Sequence, residues 1–419
     1  MELRELVERE ARAAAAAVQH LTDDAVAETL AVAGALVRER RDDLLAANAA
    51  DVDEATGRLD DGTLDRLRLD EERVEGLAAQ VGTMAKVPPL ERVIAAWTLP
   101  NGLQVSERRI PIGVVGANFE ARPNVALDVA GQLLKSLNGA VLRTGGAALR
   151  TVTALVDEIL RPALGRAGLP ESAVGLVRSP DREGARVLVS LPDAIPLVIL
   201  RGSGETTASL ARLAAEHGVR TLAHAEGGGV LYVHPSADRA KMLAIAEASL
   251  DRLGVCNRLN LCLVDRRAAP LLRPLVALFE RLAVETRGTA RARDVHPMNE
   301  LDVAIRHEWA NDDEHVATVT VDVVDGIDEA VTIANEETSG LAAAIVAEDE
   351  AAAQRFLDGY RGTAGFWQAS TRFTDGFALT GAPETGINVD WTPGPRGPVT
   401  YRDLWLRQYR VVGNGTQTR

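Results

Sequence analysis

Two cysteines, Cys256 and Cys262, are the only thiols in 419 residues. Cys256 sits in Leu253-Gly254-Val255-Cys256-Asn257-Arg258, after a long helical stretch and before an apolar strand. Gly254 permits close backbone approach and Asn257 sets a polar group beside the thiol, which makes Cys256 the candidate for nucleophilic, covalent catalysis. A lone cysteine is more often a small buried hydrophobe, and spacing alone favours that packing reading. Cys262 fits it better still, lying inside Leu261-Cys262-Leu263-Val264.

Three further strings carry polar groups where strands give way to helices. Glu120-Ala121-Arg122-Pro123-Asn124-Val125 follows a short apolar strand at 112–115. Ligands of α/β folds sit at such carboxyl ends. The Asn124 amide could donate to a developing oxyanion; the alternative is a turn with a helix-capping asparagine. Arg143-Thr144-Gly145-Gly146 follows the strand at 140–142 and suits a phosphate or a ribose, with Arg143 able to pair with a 2′-phosphate. It is neither a G-x-G-x-x-G fingerprint nor a P-loop. Gly202, just past the strand at 196–200, joins this cofactor set. Finally, Ala369-Ser370-Thr371-Arg372-Phe373-Thr374-Asp375-Gly376 offers hydroxyls and a guanidinium, a good carboxylate or phosphate receptor if it is not simply a polar surface loop. The histidines show no metal-ligand spacing, and no metal is expected.

The elements that must position these groups alternate. Ala/Leu/Arg/Glu-rich helices run from residue 3 to about 55, with Thr22-Asp23-Asp24 as a cap and Gly57 as a stop. Residues 60–72 read as a solvated connector with short helical turns. A strand is expected at 103–110, then strands and helices in turn: helices at 123–137, 182–191 and 206–217, strands at 140–142, 174–177, 196–200 and 219–222. Gly227-Gly228-Gly229 breaks the chain, and a second alternating set follows, with strands at 230–233, 259–264, 319–324 and 343–346. This texture predicts parallel sheets with helices on both faces. The expected organisation is 1–226 as N-terminal helices and cofactor domain (with a hairpin near 103–110), 227–365 as the catalytic domain carrying Cys256, and 366–419 as a C-terminal return and oligomerisation tail.

Length and charge narrow the function. A chain of this size exceeds one hydrophobic core. Its net charge of −14 gives no basic footprint for nucleic acid. The charged start lacks the apolar core of a signal peptide, no apolar run spans a bilayer, and two cysteines fit a reducing compartment, so a cytoplasmic, soluble protein is expected.

Together, Arg109-Ile110-Pro111-Ile112-Gly113-Val114-Val115-Gly116, Phe119-Glu120-Ala121-Arg122-Pro123-Asn124-Val125, Gly254-Val255-Cys256-Asn257 and the 369–376 string resemble the gamma-glutamyl phosphate reductase family of the aldehyde dehydrogenase superfamily. The resemblance runs to about Val412. It implies two Rossmann-like parallel-sheet domains plus a small oligomerisation element, and reduction of an acyl phosphate by NADPH. Cys256 matches the family nucleophile and Asn124 the asparagine that completes the oxyanion hole. Arg143, Gly145, Gly146 and Gly202 would border the cofactor, with Asp313 or Glu314 near its nicotinamide ribose. Glu120, Arg122, Asn257, Ser370, Thr371 and Arg372 would meet the substrate. A homodimer or homotetramer is implied, as is an acyl kinase that supplies the substrate.

Several positions depart from the family's pattern. The glutamate of C-N-x-x-E-T is Asn260. The family's H-x-x-G-x-C-H-x-Y-V-D places Gly229 for its cysteine, Val230 for its second histidine and His234 for its aspartate. The asparagine before A-S-T-R-F is Gln368, L-G-A-E-I-G-I has become residues 380–387, and the loop at 392–398 is shortened. Substrate choice depends on such surrounding groups. The sequence therefore leaves open a paralogue that reduces another acyl phosphate or an acyl thioester, a hydrolytic enzyme if Glu226 activates water, and a catalytically degenerate binding protein.

Overall fold

A computed structural model describes residues 3–202, 204–224, 227–251, 253–309, 316–391 and 394–417, with backbone only at Asp61 and His224. The chain forms two compact units. One comprises Met1–Ala223, Ala382–Gly386 and Val399–Arg419; the other comprises His224–Gly381 and Ile387–Pro398.

The first unit opens with helices. Thr22 caps Asp23–Glu39 by accepting from the Ala25 amide at 3.3 Å, and Asp23 and Asp24 place negative charge at the positive end of the helix dipole. The stretch expected to run unbroken to 55 divides at Arg40, and Arg41–Ala55 follows. Gly57 then takes φ 76. The expected connector at 60–72 holds two helix starts, because Asp60 accepts from Thr63 and Asp70 from Arg73. These begin Asp61–Leu67 and Glu71–Lys86. The second helix was not expected, although its buried Val74, Leu77, Val81 and Met84 recur at helical spacing.

The unit's five-stranded sheet runs Val174–Leu176, Gly139–Thr144, Val114–Phe119, Leu197–Arg201, Arg220–His224. Val114–Phe119 is the first of these in the chain yet lies in the middle, parallel to the neighbour on either side. Strand order therefore reverses there, and the crevice of such a switch point opens at the carboxyl ends of Val114–Phe119 and Leu197–Arg201. The helix Val125–Lys135 is buried on every face. It is held to the returning C-terminal segments by Gln132, which donates to the Pro383 carbonyl and accepts from the Tyr401 amide.

Outside this layer, Val93–Thr98, Gln104–Pro111 and Trp405–Val412 form a three-stranded antiparallel sheet, in which the strand expected at 103–110 lies between the other two. The strand Val93–Thr98 was not expected.

The second unit is built on seven strands in the order Asn299–Glu300, Glu285–Gly288, Thr318–Val324, Leu259–Asp265, Gly229–Val233, Ala342–Val346, Ala364–Trp367, all paired in parallel. The central strands are buried end to end, which is why they read as continuous apolar runs instead of alternating. No helix among the described residues is long and apolar enough to cross a membrane.

Candidate active site

The nucleophile candidate lies in a tight turn of the second unit. Gly254 takes φ 77 and leads into the turn, and Arg258 N–H donates to the Val255 carbonyl at 3.2 Å. The glycine run packs directly on this turn. Gly228 N–H donates to the Cys256 carbonyl at 2.5 Å and Gly229 N–H to the Arg258 carbonyl at 2.7 Å. A Cβ at Gly227 would lie 2.5 to 2.8 Å from Cys256 backbone and Cβ atoms, so no larger residue fits beside the nucleophile. Gly228 also takes φ 103, a conformation that glycine alone adopts readily. Cys256 is part-buried and packs against Leu341, Ala342 and Ile387. Neither cysteine is in a disulfide. The contrast with Cys262 is chemical: wholly enclosed in Leu259–Asp265, its thiol is pushed up to about 12 by burial and stays inert.

The 369–376 string closes over the same turn. Thr371 Oγ1 donates to the Asn257 carbonyl at 2.9 Å, and Asn257 Nδ2 donates to the carbonyls of Arg372 (3.2 Å) and Thr374 (2.9 Å). Arg372 donates to Asn257 Oδ1 and, through Nε, to Asp251 at 2.6 Å. Ser370 shares a hydrogen bond with Ser249 at 2.9 Å. The fold thus gathers Asn257, Ser370, Thr371 and Arg372, and their bonds hold the residue that follows the nucleophile and the segment packed on it. Arg258 is buried beneath, donating to the Thr318 carbonyl, with burial pushing its guanidinium down to about 10.

The departures in this unit have physical counterparts. Asn260 donates to the His307 carbonyl (2.8 Å) and accepts from the Trp309 amide (2.9 Å), a double duty no carboxylate performs. A Cβ at Gly229 would collide with Thr371, so the small residue matches its neighbour. Val230 is core. Gln368 adopts φ 56 and donates to the Ala347 carbonyl and Glu348. Asp313, Glu314 and Glu226 lie outside the described residues.

In the first unit the second string turns the chain from Val114–Phe119 into Val125–Lys135. Ala121 takes φ 47 and Asn124 sits at the helix start with helical dihedrals and no side-chain cap. This decides against a capping asparagine: its Nδ2 donates instead to Asp128 Oδ2 at 3.2 Å. Arg122 and Asn124 are part-buried. Glu120 lies over the two strand ends, since its side chain is the nearest neighbour of a Cβ at Gly145 and stands 3.6 Å from one at Gly202. Sequence reasoning missed Asp128 and Arg201, whose charges meet here. The i, i+4 spacing of Asn124 and Asp128 on a predicted helix was the available signal.

A dinucleotide fits this edge. The crevice of the strand reversal is bordered by Gly145, Gly146 and Gly202, a Cβ at Gly146 would press on Pro180 at 3.2 Å, and the buried Thr144 Oγ1 has no hydrogen-bond partner. Arg143 is placed differently from a phosphate receptor. Its buried guanidinium donates to Asn118 Oδ1 (3.1 Å) and the Asp181 carbonyl (2.9 Å), and burial lowers its pKa. A cleft of about 590 Å³ shares Gly146 and Pro180 with this edge and is lined further by Glu54, Arg150 and Asp157 among others. Among the described residues no His, Cys, Asp or Glu group gathers to hold a metal.

Comparison with known proteins bears on this geometry. The aldehyde dehydrogenase family model matches residues 4–308. The chain is 37% identical to the gamma-glutamyl phosphate reductase of Erythrobacter litoralis, over 98% of this chain and 96% of that one. It is 33% identical to that of Halothermothrix orenii, over 99% of each. The crystal structure of gamma-glutamyl phosphate reductase from Thermotoga maritima superposes with a TM-score of 0.92 at 28% identity, covering all of both chains. An acetylating aldehyde dehydrogenase from Geobacillus thermoglucosidasius shares the fold, with a TM-score of 0.69 at 15% identity over 100% of this chain and 98% of that one.

Proposed function

The chain belongs to the gamma-glutamyl phosphate reductase family, within the aldehyde dehydrogenases, and from that premise we propose that it reduces L-glutamyl 5-phosphate to glutamate 5-semialdehyde and phosphate. The carrying observation is the treatment of Cys256. It is the one thiol set in a glycine-lined turn, while Cys262 is sealed in the core.

The Cys256 sulfur adds to the acyl carbon, the C–O bond to phosphate breaks, and a thioester forms. Asn257, Thr371 and Arg372 hold the turn so that the attacking sulfur and the Cys256 N–H keep a fixed direction. The family match gives Asn124 the oxyanion, and an amide not engaged in capping suits that role. The cofactor is a nicotinamide dinucleotide; held by the residues that border the crevice, NADPH would supply the hydride for reduction of the Cys256 thioester to a thiohemiacetal. Collapse of that adduct returns the Cys256 thiolate and frees the aldehyde. Gly145, Gly146 and Gly202 would border the cofactor, and Arg143 would brace the crevice through Asn118 and the turn at Asp181. The resemblance alone proposes Asp313 or Glu314, outside the described residues, for the nicotinamide ribose. Glu120 and Arg122 are proposed to meet the substrate, alongside Ser370. The functional division proposed is a cofactor domain up to 226, a catalytic domain over 227–365 and a tail after it.

A phosphate-dependent assay with glutamate semialdehyde and NADP, run in the oxidative direction, tests this. Turnover that requires phosphate and vanishes in Cys256→Ala is expected. A wild-type protein that binds NADPH but does not turn over the semialdehyde would remove the glutamyl substrate and point to another acyl phosphate or a thioester.

A further inference from the structure

Asp128 is a buried carboxyl without an evident structural purpose. It lies one turn beyond Asn124 on Val125–Lys135 and is 8% exposed. Its Oδ2 accepts from Asn124 Nδ2 at 3.2 Å, and its Oδ1 is buried with no hydrogen-bond partner. An ionised carboxylate with an unsatisfied oxygen lowers stability, so packing does not account for it. Groups that cost stability in a crevice are candidates for function.

We infer that Asp128 is the positioning residue for the oxyanion donor: it holds the Asn124 amide with nitrogen toward the carboxylate, which leaves the second Nδ2–H for the substrate oxygen. The inference rests on the reading of Asn124 given above. The chemistry is directional. A carboxylate only accepts, so an amide turned the other way would set its oxygen against a negative oxygen. Both amide hydrogens are on one nitrogen, so fixing one by Asp128 also fixes where the other points. An asparagine engaged in capping would have no need of such a partner, and Asn124 does not cap.

Ionisation ties the device to pH. Burial raises the Asp128 carboxyl from 3.8 to about 6; Arg201, at the end of Leu197–Arg201, and the Asn124 hydrogen bond lower it, and Glu384 in Ala382–Gly386 raises it. Below that pH the acid gains an O–H that can donate to the amide oxygen, and the preferred amide orientation is lost.

The test uses full-length protein and p-nitrophenyl acetate, an activated ester independent of the natural acyl group. Cys256 sulfur takes the acetyl carbon, the C–O bond to the leaving group breaks, p-nitrophenolate departs, and the thiol proton goes to solvent. The burst should slow by roughly 10- to 100-fold in Asp128→Ala and less in Asp128→Asn, which keeps an acceptor but no unique orientation. The Tm at pH 8 should hold or rise in Asp128→Asn. Wild type should show a break near pH 6 that Asp128→Asn lacks, and neither substitution should slow Asn124→Ala further. Equal slowing on the Asn124→Ala background, full-rate variants, or slowing that follows a fallen Tm would overturn the inference. So would the absence of any Cys256-dependent burst in wild type. If the burst behaves as expected while glutamate semialdehyde is not turned over, the proposed substrate fails and this inference stands.

Discussion

At the scale of the residue, the site is defined by what surrounds Cys256 more than by the thiol. Gly227 has no room for a methyl group beside it. Gly227→Ala should therefore shift the turn by some tenths of an ångström and lower kcat on the order of a hundredfold, with the far-UV spectrum unchanged. Wild-type activity in that variant would mean that the close approach is incidental. Asn260 shows the same logic in reverse, for the glutamate the family carries there could accept from Trp309 but not donate to His307. Asp128 adds a stability argument. Its raised value means that the folded chain favours the neutral form, by about 3 kcal/mol for a carboxyl moved from 3.8 to about 6. That contribution is fully present below 3.8 and is lost as pH rises through 6.

At the scale of the element, a single helix links the candidate oxyanion donor to the end of the chain. Val125–Lys135 carries Asn124 at its start and Gln132 near its end, and Gln132 bonds to Pro383 on one side and Tyr401 on the other. The segment after residue 381 thus returns to brace the first unit. Gln132→Leu leaves two buried backbone groups unpaired at a cost of about 1–3 kcal/mol each, so Tm should fall by several degrees and proteolysis should begin at the C-terminal return. An unchanged Tm would show that the clamp adds nothing.

At the scale of the whole molecule, the chain passes between its two units at residues 223/224, 381/382, 386/387 and 398/399. The antiparallel sheet leaves Val93, Ile94, Trp97, Leu406, Tyr409 and Val411 exposed, and Trp97 meets Tyr409 edge-on at 6.2 Å. Exposed apolar side chains gathered on one small sheet are the kind of surface that association covers, and we propose that copies of this chain pair through it. Tyr409→Glu together with Leu406→Lys should yield monomers by light scattering. A wild-type mass in that variant would move the interface elsewhere.

The sequence by itself determined the two parallel-sheet units, because buried strands leave apolar runs and helices leave a period that local reading detects. It also determined the reaction class, because the E-A-R-P-N-V and S-T-R-F-T-D-G strings are specific to a family. It did not reveal Glu71–Lys86, whose charged first turn continues a charged connector, or Val93–Thr98, a wholly exposed strand in which apolar and polar residues do not alternate. It did point to Cys262 as the sealed thiol, but it could not tell whether Asn124 capped its helix, or that Arg143 and Arg372 point into backbone and side-chain partners of their own. Those outcomes depend on burial and on atoms brought together from distant parts of the chain. Burial sets which groups can ionise, and distance sets which can share a hydrogen, and both come into being only when the strands and loops have packed.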